Sequence, residues 1–231
     1  MSTATAGRIG IGTRVKSDGF MKFLRWAGVA AGIVLIAFGI GAVSLGYMGK
    51  GTVVDSLKAE RIVGTPDMTV AAIKSEVAAA GLKNVDLPTC SVAGKTIDTG
   101  AEARCFASYM RVHALEATGG LTYAEMPRYA TADGKGTNDP SKAAKGANGQ
   151  PLDNAGRNVW VTETALTSAL NMSYMADQLG LFGIVVGVAL LLTGIGLAIL
   201  AVGGTLAGVN PAFQLFGPRS SKAAGKTLPV A

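Results

Sequence analysis

Two cysteines and one histidine carry the most versatile chemistry in this 231-residue chain. Cys90, Cys105 and His113 are the donor types of a three-ligand zinc site. Cys105 and His113 lie eight residues apart in a helical stretch, about 80° around its axis. A zinc site there would need one more ligand and a supporting shell of hydrogen bonds. The simpler expectation is a disulfide between Cys90 and Cys105, with His113 a half-buried helix residue and no metal. Asp133-Gly134-Lys135-Gly136-Thr137-Asn138-Asp139 places oxygens at alternate positions, as a calcium loop does. Its third position is Lys135, and its twelfth, where a glutamate belongs, is Ala144. No Ser-His-Asp grouping can be argued from the single histidine, and a two-histidine iron face is excluded. Gly119-Gly120 reads as a helix stop, because no strand–glycine loop–helix unit surrounds it. No catalytic residue, metal ligand or cofactor is expected.

The elements that would hold these residues form a 132-residue stretch, 49–180, bounded by two apolar tracts. Val53, Val54, Leu57 and Ile62 suggest a helix that continues from the first tract to Gly64. Thr65 followed by Pro66 suggests an N-cap with proline at the first helical position. Val70, Ile73, Val77 and Ala80 then share one face, and Gly81 ends the helix. Residues 82–100 fit either two short strands or an irregular loop. Thr99 and Glu102 form a capping box, and Phe106, Met110, His113 and Ala117 follow at helical spacing. Residues 131–157 are rich in glycine and proline with one large apolar side chain, Leu152, so a flexible linker is expected. A helix carrying Trp160, Leu166, Leu170 and Tyr174 covers 158–179. Trp160 is expected either to pack on the domain 49–130 or to sit on a helix lying along a surface.

The two tracts dominate the composition. Hydrophobic residues make up 49% of the chain and charged residues only 16%, well below the quarter common in soluble domains. Trp26–Met48 and Gly180–Pro218 contain no charge. About 20 apolar residues span a ~30 Å hydrocarbon layer as a helix, so transmembrane helices are expected at 26–48 and 180–206. The first tract is longer than the roughly 7–15 apolar residues of a signal peptide, so an anchor is expected instead. The net charge of +6 resides in the flanks. Residues 1–25 carry +4, residues 219–231 carry +3, and residues 49–180 hold 13 basic against 14 acidic side chains. Positive flanks favour the cytoplasmic side. Both tails, 1–25 and 207–231, are thus expected in the cytoplasm of a plasma-membrane protein, with the central stretch outside. Cysteines confined to that stretch suit an oxidising compartment. The same charge distribution argues against nucleic acid as a partner.

Small residues recur within the tracts. Gly28 with Gly32, and Gly183 with Gly187, have the four-residue spacing that lets helix backbones approach closely, and Gly39 and Gly194 extend the two faces by seven. Helix–helix contacts are expected there, within one chain or between chains. No Asp, Glu, Lys, Arg or His lies inside either tract, which argues against the usual proton relays and cofactor ligands of membrane pumps.

Three further stretches carry a resemblance: Leu57-Lys58-Ala59-Glu60-Arg61-Ile62, Thr122-Tyr123-Ala124-Glu125-Met126, and Val159 to Leu166 continuing through Asn171-Met172-Ser173-Tyr174-Met175-Ala176. Over residues 50–205 the chain resembles a family of uncharacterised two-span membrane proteins of actinobacteria. Members often bear the automatic label of aromatic ring-opening dioxygenase, which the single histidine here does not support. The resemblance implies no cofactor or substrate. The overall expectation is an all-α membrane protein with a small disulfide-stapled outer domain. Its expected role is non-catalytic, as an accessory subunit of a membrane complex or a homo-oligomeric envelope protein, with the bilayer and other membrane subunits or itself as partners. A sensor or transport accessory acting through a partner is the second expectation, and a membrane-tethered enzyme the third.

Overall fold

The computed structural model describes residues 14–203. Within them the chain is helical: α1 (Arg14–Glu60), α2 (Val70–Ala79), α3 (Gly100–Ala117) and α4 (Gly156–Val202). Residues 1–13 of the basic leading tail, the end of the second apolar tract (204–206) and the trailing tail (207–231) lie outside the described residues. The chain divides into two compact units, Met1–Gly41 with Val186–Ala231, and Ala42–Val185. Both long helices run through each unit.

At 47 residues each, α1 and α4 are about 70 Å long. Each contains a stretch apolar and long enough to cross a membrane. Neither breaks where the apolar tract ends. The charged continuation of α1 keeps its helical hydrogen bonds to Glu60, four residues short of the expected stop at Gly64. Arg61 then turns the chain with a φ of 53°.

Gly64 serves the next contact. Its backbone crosses residues 92–93 so closely that a Cβ would lie 1.9 Å from the Val92 carbonyl oxygen. No other residue fits there. The Gly64 amide donates to Lys95 O and its carbonyl accepts from Gly94 N. The stretch between α2 and α3 meets the α1–α2 connection only at single bridged pairs, Thr96 with Val63 and Ala93 with Gly64, so the irregular loop is the outcome for 82–100.

α2 begins later than expected. Thr69, not Thr65, is its N-cap, and its hydroxyl accepts from Ala72 N at 3.2 Å. Residues 65–69 form a tight turn in which Met68 N donates to Thr65 O and Thr69 N to Asp67 O. Ile73 and Val77 are buried as their spacing requires. α3 starts at the expected capping box. Glu102 N donates to Thr99 Oγ1 while Glu102 Oε2 accepts from Thr99 N. Burial pushes the Glu102 carboxyl up, but the Thr99 hydroxyl and the amides of Asp98 and Thr99 outweigh this and hold it below its ordinary value.

The core of the Ala42–Val185 unit joins both long helices to the short ones. Val53 and Leu57 of α1, Ile73 and Val77 of α2, Phe106, Tyr109 and Val112 of α3, and Leu170 of α4 pack together with Val92 and Ile97. Trp160 of α4 is buried against Ala114 and Met126, and its indole N–H donates to Leu121 O at 2.9 Å. This settles its role as a packing residue. Gly100, the first residue of α3, sits against α4, where a Cβ would come within 2.9 Å of Tyr174 Cα.

Residues 131–157, expected as a linker, are instead a hydrogen-bonded loop as far as 155, and Gly156 and Arg157 open α4. Tyr129 and Thr137 exchange both backbone bonds, Ala130 N donates to Leu152 O, and Ala144 N donates to Ala130 O. Asp133, Asp139, Asn148 and Asn154 each accept from a backbone amide two residues on. These side-chain turns do the work that apolar burial cannot do in so polar a stretch.

Candidate functional site

Cys90 and Cys105 form a disulfide with a Cα–Cα distance of 6.1 Å. Cys105 lies in the buried face of α3, and one turn later Tyr109, fully buried, donates its hydroxyl to Cys90 O at 2.7 Å. The loop carrying Cys90 is thus tied to α3 twice. Burial first, and the nearby Asp67 charge second, push the Tyr109 phenol above its ordinary value. Both thiols are consumed in the bond, so a Cys90–Cys105–His113 zinc set is not available.

His113 instead stands among carboxylates. Its Nε2 is 3.2 Å from Asp67 Oδ2, and its Nδ1 is 3.1 Å from Glu116 Oε2. Glu76 of α2 joins the group: one ligand atom each from Asp67, Glu76 and His113 lie within 4.8 Å of one another. The sequence hides this cluster because its members are 9 and 37 residues apart and meet only when α2 packs on α3. The Thr65–Thr69 turn brings Asp67 in, and the Thr65 hydroxyl, more than the opposing burial, holds its carboxyl below the ordinary value.

These depressed carboxyls set the acid response of the unit. A group with a lowered folded-state pKa stabilises fully above its unfolded value and loses that contribution as pH falls through the folded one. Asp67 and Glu102 therefore predict loosening of the unit below about pH 4, in the range of ordinary carboxyls. Near-ultraviolet circular dichroism of Trp160 against pH reads it. Glu102→Gln keeps a capping-box partner without a titrating group, so its profile should be flatter.

A shallow groove of about 450 Å³ opens on the other side of His113, lined by Met110, Ala114, Asn158, Val159 and Glu163. Glu163 is only 4% exposed and accepts from the Thr164 and Thr167 hydroxyls. Asp133 and Asp139, candidate calcium ligands by spacing, do not converge. Asp133 accepts from Thr131 Oγ1 and Lys135 N, and Asp139 from the Ser141 hydroxyl and amide.

The glycines of the apolar tracts meet in pairs. Within Met1–Gly41 and Val186–Ala231, a Cβ on Gly32 would lie 2.8 Å from Gly194 O, and one on Gly39 would lie 2.8 Å from Gly187 O. Within Ala42–Val185, a Cβ on Gly46 would lie 2.6 Å from Gly180 O. Within Met1–Gly41 and Val186–Ala231 the members recur seven residues apart on each helix (32 and 39, 187 and 194), the spacing of a left-handed antiparallel seam. Of the residues singled out by four-residue spacing, Gly32 and Gly187 line these contacts. Gly183 stands at ordinary contact distance, 3.5 Å from Ala42 O, and Gly28 is half-buried. Gly46 and Gly180 escape a search for four-residue pairs but emerge from a search at seven. At the same level Lys50 pairs with Asp177 at 2.5 Å.

Comparison of the chain with family models, curated proteins and solved structures finds no match.

Proposed function

We propose that α1 and α4 cross a plasma membrane and hold the disulfide-stapled domain on its outer side, where the protein serves as a non-catalytic accessory subunit of a membrane complex or a homo-oligomer. The observation that carries this reading is the outward apolar surface of the two long helices. Ile33, Phe38, Phe182 and Leu192 are each 60% exposed or more. A core helix in a water-soluble protein would bury such side chains, and their exposure to water costs roughly 25 cal/mol per Å². Lipid removes that cost. Trp26 and Tyr47, near the two ends of the first apolar tract, are both exposed, as aromatic residues at bilayer interfaces would be. The Lys50–Asp177 pair follows at the outer end, and the disulfide fits an oxidising exterior. Basic flanks at both ends support cytoplasmic tails. The motif resemblance to two-span actinobacterial membrane proteins agrees with this topology.

Docking onto partners is expected through the small-residue faces and the outer domain. The paired glycines are engaged between α1 and α4, which leaves partner contacts to the lipid-facing sides and the outer domain. The test is purification from native membranes in mild detergent, with mass measured by light scattering. A stoichiometric hetero-complex or a defined self-oligomer is the expected result. A monomer at every detergent and protein concentration would contradict it.

A further inference from the structure

The geometry points to a divalent metal site formed by Asp67, Glu76 and His113, with zinc or manganese as the ion class. Two carboxylates and one imidazole give an O₂N donor set, which these ions accept while keeping water in the remaining positions. The donors lie within 4.8 Å of one another, a separation that small side-chain rotations close around one ion.

Their supports are rigid. Asp67 precedes Met68 (3% exposed), Glu76 precedes Val77 (8%), and His113 lies between Val112 (1%) and Ala114 (3%). Each ligand is therefore anchored by a core neighbour on the adjacent residue. The imidazole is also oriented. Glu116 Oε2 lies 3.1 Å from Nδ1 and would hold that nitrogen as the donor when Nε2, 3.2 Å from Asp67 Oδ2, ligates an ion. A carboxylate behind a ligating histidine is the common second layer of such sites.

Charge favours an ion as well. Asp67, Glu76 and Glu116 surround one histidine, and among the described residues no lysine or arginine pairs with any of them. A divalent cation engages all three ligands and balances the excess negative charge. The inference stands apart from the membrane assignment, because every residue in it belongs to the Ala42–Val185 unit.

The test uses the full chain in detergent, stripped with chelator and then titrated separately with zinc chloride and manganese chloride by calorimetry, with thermal melts alongside. One of the two ions should bind at one per chain and raise the melting temperature. Glu76→Gln and His113→Gln should abolish both effects while keeping the metal-free melt, since both side chains are only half-buried. Glu116→Gln, acting through His113, should weaken binding roughly 10–100-fold. Absence of saturable binding by both ions would overturn the inference. So would binding that survives Glu76→Gln and His113→Gln, which would mark ions held elsewhere.

Discussion

Converting Cys90 and Cys105 together to alanine lowers the stability of the Ala42–Val185 unit by roughly 3 kcal/mol. The bond closes a 15-residue separation, for which the chain-entropy account gives that magnitude. In a domain whose whole stability is on the order of 5–15 kcal/mol the loss is large. The structure adds a reason for the effect to spread. The Cys90 segment has two ties to α3, and the second, Tyr109 to Cys90 O, depends on the first to hold its acceptor in place. Thermal melts of wild type, each single variant and the double variant, with and without reductant, measure it. All three variants and the reduced wild type should melt alike, because each lacks the same bond. A reduced wild type as stable as the oxidised protein would contradict this account.

Leucine at Gly39 should disrupt the pairing of α1 with α4. A Cβ there already lies 2.7 Å from Leu191 Cγ and 2.8 Å from Gly187 O, and backbone cannot yield as a flexible side chain can. Overpacking of this kind costs about 1–3 kcal/mol in well-packed interiors. In lipid, where helix association rests on close packing and not on the hydrophobic effect, little compensates for it. Gly41→Leu is the control, since nothing lies within 4 Å of a Cβ at Gly41. Melts in detergent should show Gly39→Leu several degrees below wild type, at roughly 2–4 °C per kcal/mol for a chain of this size, and Gly41→Leu near wild type. Equal effects at both positions would remove the seam from the account.

Much of this architecture was legible in the sequence where one physical rule acted alone. Uncharged tracts of more than 20 residues can only be long apolar helices, and Thr99 with Glu102 marks the start of α3 because both halves of the capping box are local. Legibility failed where a local signal stood close to the true one. Thr65-Pro66 reads as the start of α2, yet the helix is capped by Thr69. The turn at Asp67 decided for Thr69, since it engages Thr65 and Pro66 before the helix begins. Residues 131–157, with Leu152 their one large apolar side chain, have the composition of a linker, yet Asp and Asn side chains organise the backbone turn by turn as far as α4. The glycine pairing was half visible: spacing by four marks Gly32 and Gly187 and spacing by seven adds Gly39 and Gly194, while which glycine faces which needed the antiparallel partner. The Asp67–Glu76–His113 cluster left no trace in spacing at all, because its geometry comes from α2 lying on α3.

The central claim is that α1 and α4 cross the bilayer with Ala42–Val185 largely outside. Single cysteines introduced as Ser141→Cys and Lys22→Cys, both at exposed positions and both in the Cys90→Ala, Cys105→Ala background, test it with a membrane-impermeant maleimide on intact cells. The account predicts that Ser141→Cys labels at once and that Lys22→Cys labels only after the membrane is opened. Protection of Ser141→Cys in intact cells, or immediate labelling of Lys22→Cys, would contradict it.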